Sequence, residues 1–399
     1  MRRLLGVDDA LAHVLAHVRP LPSERVPLRD AVGRALAVTA TSAVDLPPFP
    51  SSAMDGFAVR VADCPGSLPV ELRVAAGRPS PRPLRPGEAM GIATGGVVPE
   101  GADAVIPLEL VVDHGHRIDV AEAPAAGANV RGVGGDVSAG AVVLEAGTTL
   151  GPAQVAALAA AGVAEVECAR RPSVAVLATG SELRPPGAPL VPGEIYESNG
   201  VMLAAELTRA GAVVVDPVVV PDERAAHRVA LERALGADVV VSSGGVSVGP
   251  HDLVRGVAAE LGVEEVFWGV AVRPGKPISF ATRGATLVFG LPGNPVSSLV
   301  GAVLFVLPAL RALQGVPDAG PPYRTGSLAV ALPRSPHRDD FVRARVDRSG
   351  EDDLLRPLPG QESHMIVHAA AADALIRVPA GGGELAEGSR ARYLELGAG

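Results

Sequence analysis

Lys276 is the single lysine in a chain of 399 residues whose other basic side chains are all arginine. It stands in "AVRPGKPISF", where Arg273 lies three residues earlier, a Pro-Gly turn intervenes and Pro277 follows. A coding bias toward arginine would leave a stray lysine by chance, but a turn of this kind fixes where the ammonium points. An ammonium is a compact charge with three donors and a guanidinium is a planar fork, so a pocket shaped for a small tetrahedral anion can accept one and refuse the other. A second device for negative charge lies in "GLPGNPVSSLV". Asn294 suits an N-cap and Pro295 the first helical position, which turns amide donors and the positive end of the helix dipole outward. Ser297 and Ser298 add hydroxyls to the same turn.

The segment "SSGGVSVGPHD" offers Ser243, Gly244, Gly245, Ser247 and Gly249, whose small side chains let backbone amides approach a phosphate. It has neither the GxxxxGK[ST] spacing of a P-loop nor GxGxxG, so a plain tight turn is its competing reading. Asp252 follows, placed to cap the next helix or to hold a divalent metal. Further acids punctuate other loops: Asp55 in "SAMDGFAV", Asp136 in "RGVGGDVS", Glu182 in "TGSEL" and Asp222 in "VPDE". Singly, each reads as a cap or turn residue. Together with Asp252 they are the set that could bind Mg2+ and let an acidic protein handle a polyanion. His13 and His17, like His364 and His368, are four apart but stand outside HExxH and read as solvated or packed imidazoles.

Elements must bring these residues together. Between residues 171 and 314, continuous apolar runs such as "SVAVLAT", "DVVVSS" and "TLVFG" alternate with helical stretches, which predicts a mostly parallel sheet covered on both faces. In such a sheet ligands bind beyond the carboxyl ends of the strands, and the Gly-, Ser- and acid-rich loops fall there. Residues 1–45 are expected to be helical, with a second helix over "PLRDAVGRALA", and "GPAQVAALAAAGV" opens another helix at Pro152. The intervening stretch to Val143 has short β-branched runs cut by Gly and Pro, a β-rich unit inserted between helical pieces. Beyond residue 320, "GSLAVAL", "FVRARV" and "ALIRVP" predict a small barrel or sandwich.

Composition sets outer limits. A net charge of −9 with 48% hydrophobic residues describes a folded soluble chain and argues against a broad nucleic-acid surface. Two cysteines, Cys64 and Cys168, make neither a disulfide framework nor a structural zinc site, and a reducing cytoplasm is expected. The start "MRRLLGVDDALAHVL" is broken by Asp8 and Asp9 before a signal core can form. The apolar run "SSLVGAVLFVLPAL" is short for a bilayer and contains a proline, so no membrane segment is expected.

The motifs "DLPPFPSSAMDGFAV", "ATGGVVPEGADAVI", "NVRGVGGD", "ATGSEL", "VVSSGGVSVGPHD", "VRPGKPISF" and "GLPGNPVSS", in this order, resemble the molybdopterin molybdenumtransferase family, called MoeA in bacteria and present as the E domain of gephyrin. The resemblance covers nearly the whole chain. It implies an α/β plus β fold: a multi-domain, elongated subunit of a homodimer. Its parts would be a helical segment (1–45 and 144–170), an inserted β domain (46–143), a MoaB/Mog-like three-layer α/β domain (171–316) and a C-terminal β-barrel (317–399). It further implies insertion of molybdenum from molybdate into adenylylated molybdopterin, with Mg2+-dependent release of AMP.

Carried over by motif, Asp55, Asp136, Asp222 and Asp252 match positions tied to catalysis, with Glu182 and Asp252 as metal ligands. Thr94, Glu182, Ser243, Gly244, Gly245, Ser247, Pro292 and Pro295 match substrate-binding positions. The family's molybdate pocket resembles Arg273, Lys276, Ser297, Arg343 and Ser363 here. The inserted domain would reach the site from the second subunit. The molybdopterin adenylyltransferase of the same pathway is the expected macromolecular partner, with no nucleic acid and no membrane. Gly269 and Arg273 stand where lysines are frequent in the family, and Asp373 where asparagine is usual. Competing readings are an ATP-using molybdopterin adenylyltransferase, against which the β insertion and the barrel argue, and a non-catalytic scaffold, which would leave the loop acids dispensable.

Overall fold

The apolar runs between residues 173 and 291 form one six-stranded sheet in a computed structural model that describes residues 4–245 and 253–397. In chain order the strands are β1 Ser173–Thr179, β2 Val213–Val220, β3 Val239–Ser243, β4 Glu264–Trp268, β5 Ser279–Arg283 and β6 Thr286–Leu291. In space they run β2-β1-β3-β6-β5-β4. The pairs among β2, β1, β3 and β6 are parallel, whereas β5 and β4 are antiparallel additions at one edge. The reversal at that edge follows from chain length: Arg283 pairs with Thr286, so only a two-residue turn joins β5 to β6.

Alternation along β1 divides the core. Val174 and Val176 face one apolar layer with Leu203, Leu207 and Phe305, whereas Ala175 and Leu177 face another with Leu231, Val257 and Ala258. The first layer is covered by helices Val7–Ala16, Asn199–Arg209 and Pro295–Leu313, the second by Arg224–Ala234 and Leu253–Glu260. This is the expected three-layer arrangement. Each fully buried valine or leucine in these layers contributes roughly 1.5–3 kcal/mol. Pro295–Leu313 has the length and apolarity to cross a membrane, but 83% of it is buried inside the protein, which makes it a core helix.

The C-terminal strands are Arg324–Leu328, Asp339–Asp347, Leu354–Pro357, Ala374–Val378 and Arg390–Glu395. They form a closed five-strand barrel, because Asp339–Asp347 pairs with Leu354–Pro357 on one side and with Ala374–Val378 on the other. Leu328, Leu355, Ile376 and Tyr393 fill it. Closure removes the exposed edges that an open sandwich would keep.

By its contacts the chain divides into one unit of residues 1–24, 33–37 and 168–399, which holds the sheet and barrel, and another of 25–32 and 38–167. The second contains a six-stranded sheet in the order Ala104–Pro107, Gly56–Val59, Ala89–Ile92, Gly66–Val74, Arg117–Val120, Val111–Asp113. Phe57, Val59 and Ile118 fill one face, and Ala58, Met90 and Val105 the other. The helix opened by Pro152 forms as expected over Pro152–Ala160. The helix expected over residues 27–37 does not form: it is a single 3-10 turn, Leu28–Asp30. Gly33 takes φ +79, outside the right-handed helix, and ends any propagation there.

Candidate functional site

The parallel strands end in register, Thr179 beside Val220, Ala178 beside Ser243, and Ser243 beside Leu291. Their loops are tied there by side chains. Asn199 donates from Nδ2 to Ser243 Oγ at 2.8 Å and to Gly293 O at 2.7 Å. Asn199 Oδ1 is buried and has no partner among the described residues. Gly244 donates its N–H to Leu291 O at 3.0 Å. At Gly244, φ is +93 and a Cβ would lie 2.8 Å from Thr179 O, so the backbones of the two loops meet closer than any side chain permits. Asp222 accepts from Ser181 N at 3.2 Å, and its own N–H donates to Ser181 Oγ at 2.9 Å, which locks "PDE" to "TGSEL". His227 lies buried behind Asp222, with Nε2 3.9 Å from Asp222 Oδ1.

The Lys276 turn faces a cavity of about 680 Å3 walled by Arg273, Lys276, Pro292, Ser297 and Ser363 among others. These residues come from three separate segments. Lys276 is exposed, and its ammonium has no hydrogen-bond or ion-pair partner among the described residues. Ser297 is buried in the first turn of the Pro295–Leu313 helix. Ser363 is held over that turn by two bonds, Asn294 Nδ2 to Ser363 Oγ at 2.8 Å and Val296 N to Ser363 O at 3.1 Å. One of the helix's outward amides is therefore capped by the 360–365 loop, not left open to an anion.

Arg343 sits differently from the direct ligand expected of it. It is 1% exposed, and its guanidinium donates to Gln361 Oε1 at 3.4 Å, Met365 O at 3.0 Å, Gly360 O at 2.5 Å and Glu362 O at 3.2 Å. Its donors are spent holding the loop that carries Ser363. Burial pulls its pKa down from the usual guanidinium value, with Glu362 opposing.

A second cavity of about 310 Å3 lies over the strand ends, walled by Thr179, Glu182, Asn199, Ser243 and Pro295. Asn294 and His364 line both cavities, so the two adjoin. Among the described residues no three His, Cys, Asp or Glu side chains gather closely enough to hold a metal. Asp252 and Ser247, with Gly249, lie outside the described residues. Gly245, at φ +65, closes the described part of that loop.

In the other unit, Asp55 Oδ1 accepts from Thr94 N at 2.7 Å and from Thr94 Oγ1 at 3.0 Å. The amide and then the hydroxyl hold its carboxyl below the usual aspartate range. Asp136 is exposed, with its N–H bonded to Leu46 O at 2.9 Å. Ser51–Ser52 pairs antiparallel with Val130–Arg131, so the ribbon carries Asp55 toward Asn129 and Asp136 toward Leu46, at opposite ends. These two acids are not brought together within that unit.

Sequence reasoning missed Asn199, Ser181, Arg338 and Asp340. "ESNG" gave a polar helix start, a usable signal for Asn199, but "HRDDFV" reads as an ordinary charged strand entry.

Against families of known proteins, residues 5–162 match the MoeA N-terminal region (domain I and II), 175–312 a probable molybdopterin binding domain, and 325–396 the MoeA C-terminal region (domain IV). The molybdopterin molybdenumtransferase 2 of Mycobacterium tuberculosis is 36% identical over 99% of this chain and 100% of its own length. The molybdopterin molybdenumtransferase of Haemophilus influenzae is 37% identical over 85% of each chain. Among solved structures, a molybdopterin biosynthesis MoeA protein of Pyrococcus horikoshii superposes with a TM-score of 0.84 at 28% identity, covering 99% of this chain and 100% of that one.

Proposed function

The chain belongs to the molybdopterin molybdenumtransferase family, transferases of molybdenum cofactor biosynthesis, and from that premise we propose that it moves molybdenum from molybdate into adenylylated molybdopterin with Mg2+-dependent release of AMP. The observation that carries this reading is the cavity in which the only lysine, Arg273, Ser297 and Ser363 meet from three segments of an acidic protein. Molybdate is seated there by Lys276 and by the hydroxyls of Ser297 and Ser363. Arg343 acts through the loop whose carbonyls it holds. The adjoining cavity at the strand ends, walled by Thr179, Asn199 and Ser243, takes the adenylyl phosphate. A substrate with two anionic ends can span both, because Asn294 and His364 wall each.

The described residues alone do not make a complete Mg2+ site. Glu182, exposed at the strand ends, and Asp252 would hold the ion. Mg2+ commonly keeps only one or two carboxylates and completes its shell with phosphate oxygens and water. When bound, it supplies charge compensation at the pyrophosphate. Asp222 fixes the "TGSEL" loop beside Glu182 through Ser181. Asp55, oriented by Thr94, and Asp136 complete the catalytic acids, contributed from a second subunit of a homodimer. The same reading places the enzyme in the cytoplasm, receiving its substrate from the molybdopterin adenylyltransferase of the pathway.

Purified protein incubated with adenylylated molybdopterin, molybdate and Mg2+ should release AMP and gain pterin-bound molybdenum. Absence of both in the wild type would remove the function. Lys276→Arg, which keeps the charge and changes its shape, is expected to lower turnover efficiency on the order of tenfold. An unchanged value would leave the lysine without a role.

A further inference from the structure

Resting on the proposed use of the strand-end loops, we infer that His227, which lies outside the seven motifs, is a positioning residue: its imidazole Nε2–H holds one oxygen of the Asp222 carboxylate while the other oxygen holds the loop that carries Glu182. The helix start brings the two residues together. Glu223 is the N-cap of Arg224–Ala234, and the His227 amide donates to Glu223 O at 3.0 Å. Asp222 is thus the residue before the cap and His227 the fourth of the helix, the two positions that often meet across a helix start as an apolar staple. Here they are an acid and an imidazole. His227 also opens the buried stripe of that helix, continued by Leu231 and Ala234, where the period asks for an apolar side chain.

A polar ring at such a position needs a partner. His227 is 2% exposed, and its Nε2 is buried with no hydrogen-bond partner among the described residues. An unmatched buried nitrogen is costly, and an acceptor within reach resolves it. Asp222 Oδ1 lies 3.9 Å away, about 1 Å beyond a hydrogen bond. Asp222 Oδ2 already accepts from the Ser181 amide at 3.2 Å, so Oδ1 is the oxygen left for the imidazole. The Asp222 side chain is 36% exposed and has room to turn through that distance. Burial draws the His227 pKa below the ordinary histidine value, against the pull of Asp222, so the ring is neutral at pH 7 and carries one proton. A carboxylate only accepts, which puts that proton on Nε2. Held at both oxygens, the carboxylate fixes Ser181, and with it Glu182, just beyond the end of strand Ser173–Thr179.

Imidazole 15N NMR of the full chain tests the contact, and AMP release from adenylylated molybdopterin with molybdate and Mg2+ tests its use. The His227 signals, assigned by their loss in His227→Gln, should be those of a neutral ring protonated on Nε2, and Asp222→Ala should shift the Nε2 resonance. His227→Leu restores an apolar stripe and should keep or raise the melting temperature. It should nevertheless lower kcat roughly tenfold at nearly unchanged KM, the scale of one hydrogen bond to a charged group. His227→Gln sets an amide donor where Nε2 stands and should recover most of that loss. A role in packing alone predicts the reverse order, with His227→Leu tolerated and His227→Gln the worse. His227→Leu protein as active as wild type, or an Nε2 resonance that ignores Asp222→Ala, overturns the inference. Should His227→Leu fail to fold, the spectrum decides by itself. Wild-type protein that releases no AMP, while its Nε2 resonance does respond to Asp222→Ala, overturns instead the function beneath it.

Discussion

At the scale of single residues, two kinds of charge management stand out. Arg343 and Asp340 are both buried and ionisable, and each is surrounded by hydrogen-bond partners. Removing one partner from such a group leaves a desolvated charge, so these residues organise their neighbours more than they meet ligands. Asp55 is the opposite case, exposed and poised by two bonds from Thr94. Thr94→Val removes the hydroxyl donor and leaves the amide. The Asp55 pKa should then rise part of the way toward the free aspartate value of about 3.9, read by NMR titration of the carboxyl. No upward movement would mean that the hydroxyl bond is not formed in solution.

At the scale of elements, the first helix is fastened by an ion pair and not only by its apolar stripe. Val7, Ala10 and Val14 enter the core of the sheet, and Asp8 meets Arg377 of the barrel strand Ala374–Val378 with two bonds of 2.8 Å. Arg377 also binds Asp339 at 2.6 Å and stacks beside Tyr323. The bond from Arg377 holds the Asp8 carboxyl below its ordinary range, against the opposing pull of burial. A depressed folded-state pKa gives stability that is present above the unfolded value and lost as pH falls through the folded one. The Asp8 side chain is 72% exposed, so solvent screens the pair to under about 1 kcal/mol. Asp8→Asn should therefore lower stability slightly at neutral pH, with the gap to wild type closing below the folded pKa. Denaturant midpoints measured across pH check it, and a gap that persisted in acid would assign the loss to packing.

At the scale of the whole molecule, the net charge of −9 repels anions at long range. On the proposed function, capture then depends on a local concentration of donors: Lys276 and two serines in one cavity. Such a site works at close range, inside the roughly 8 Å screening length of physiological salt. The proposed homodimer would supply the acids Asp55 and Asp136 from a second chain. Light scattering after size exclusion should give a mass near twice 40.4 kDa. A monomer that retains full activity would remove the second chain from the mechanism.

Much of this was legible in the residues. The β-branched runs at 173–179, 239–243 and 286–291 could pack only as buried parallel strands, and Asn294-Pro295 could only open a helix. Those outcomes are local, set by side-chain period and by the dihedral limits of proline. The seven motifs likewise fixed the family. Tertiary structure alone decided that Arg343 faces carbonyls, that Ser363 caps the helix, that Asp340 claims Arg273 and that residues 27–37 make a single turn. Each depends on strand register and barrel closure, which bring side chains together over long chain separations. No local pattern encodes which donor reaches which acceptor once the chain has closed.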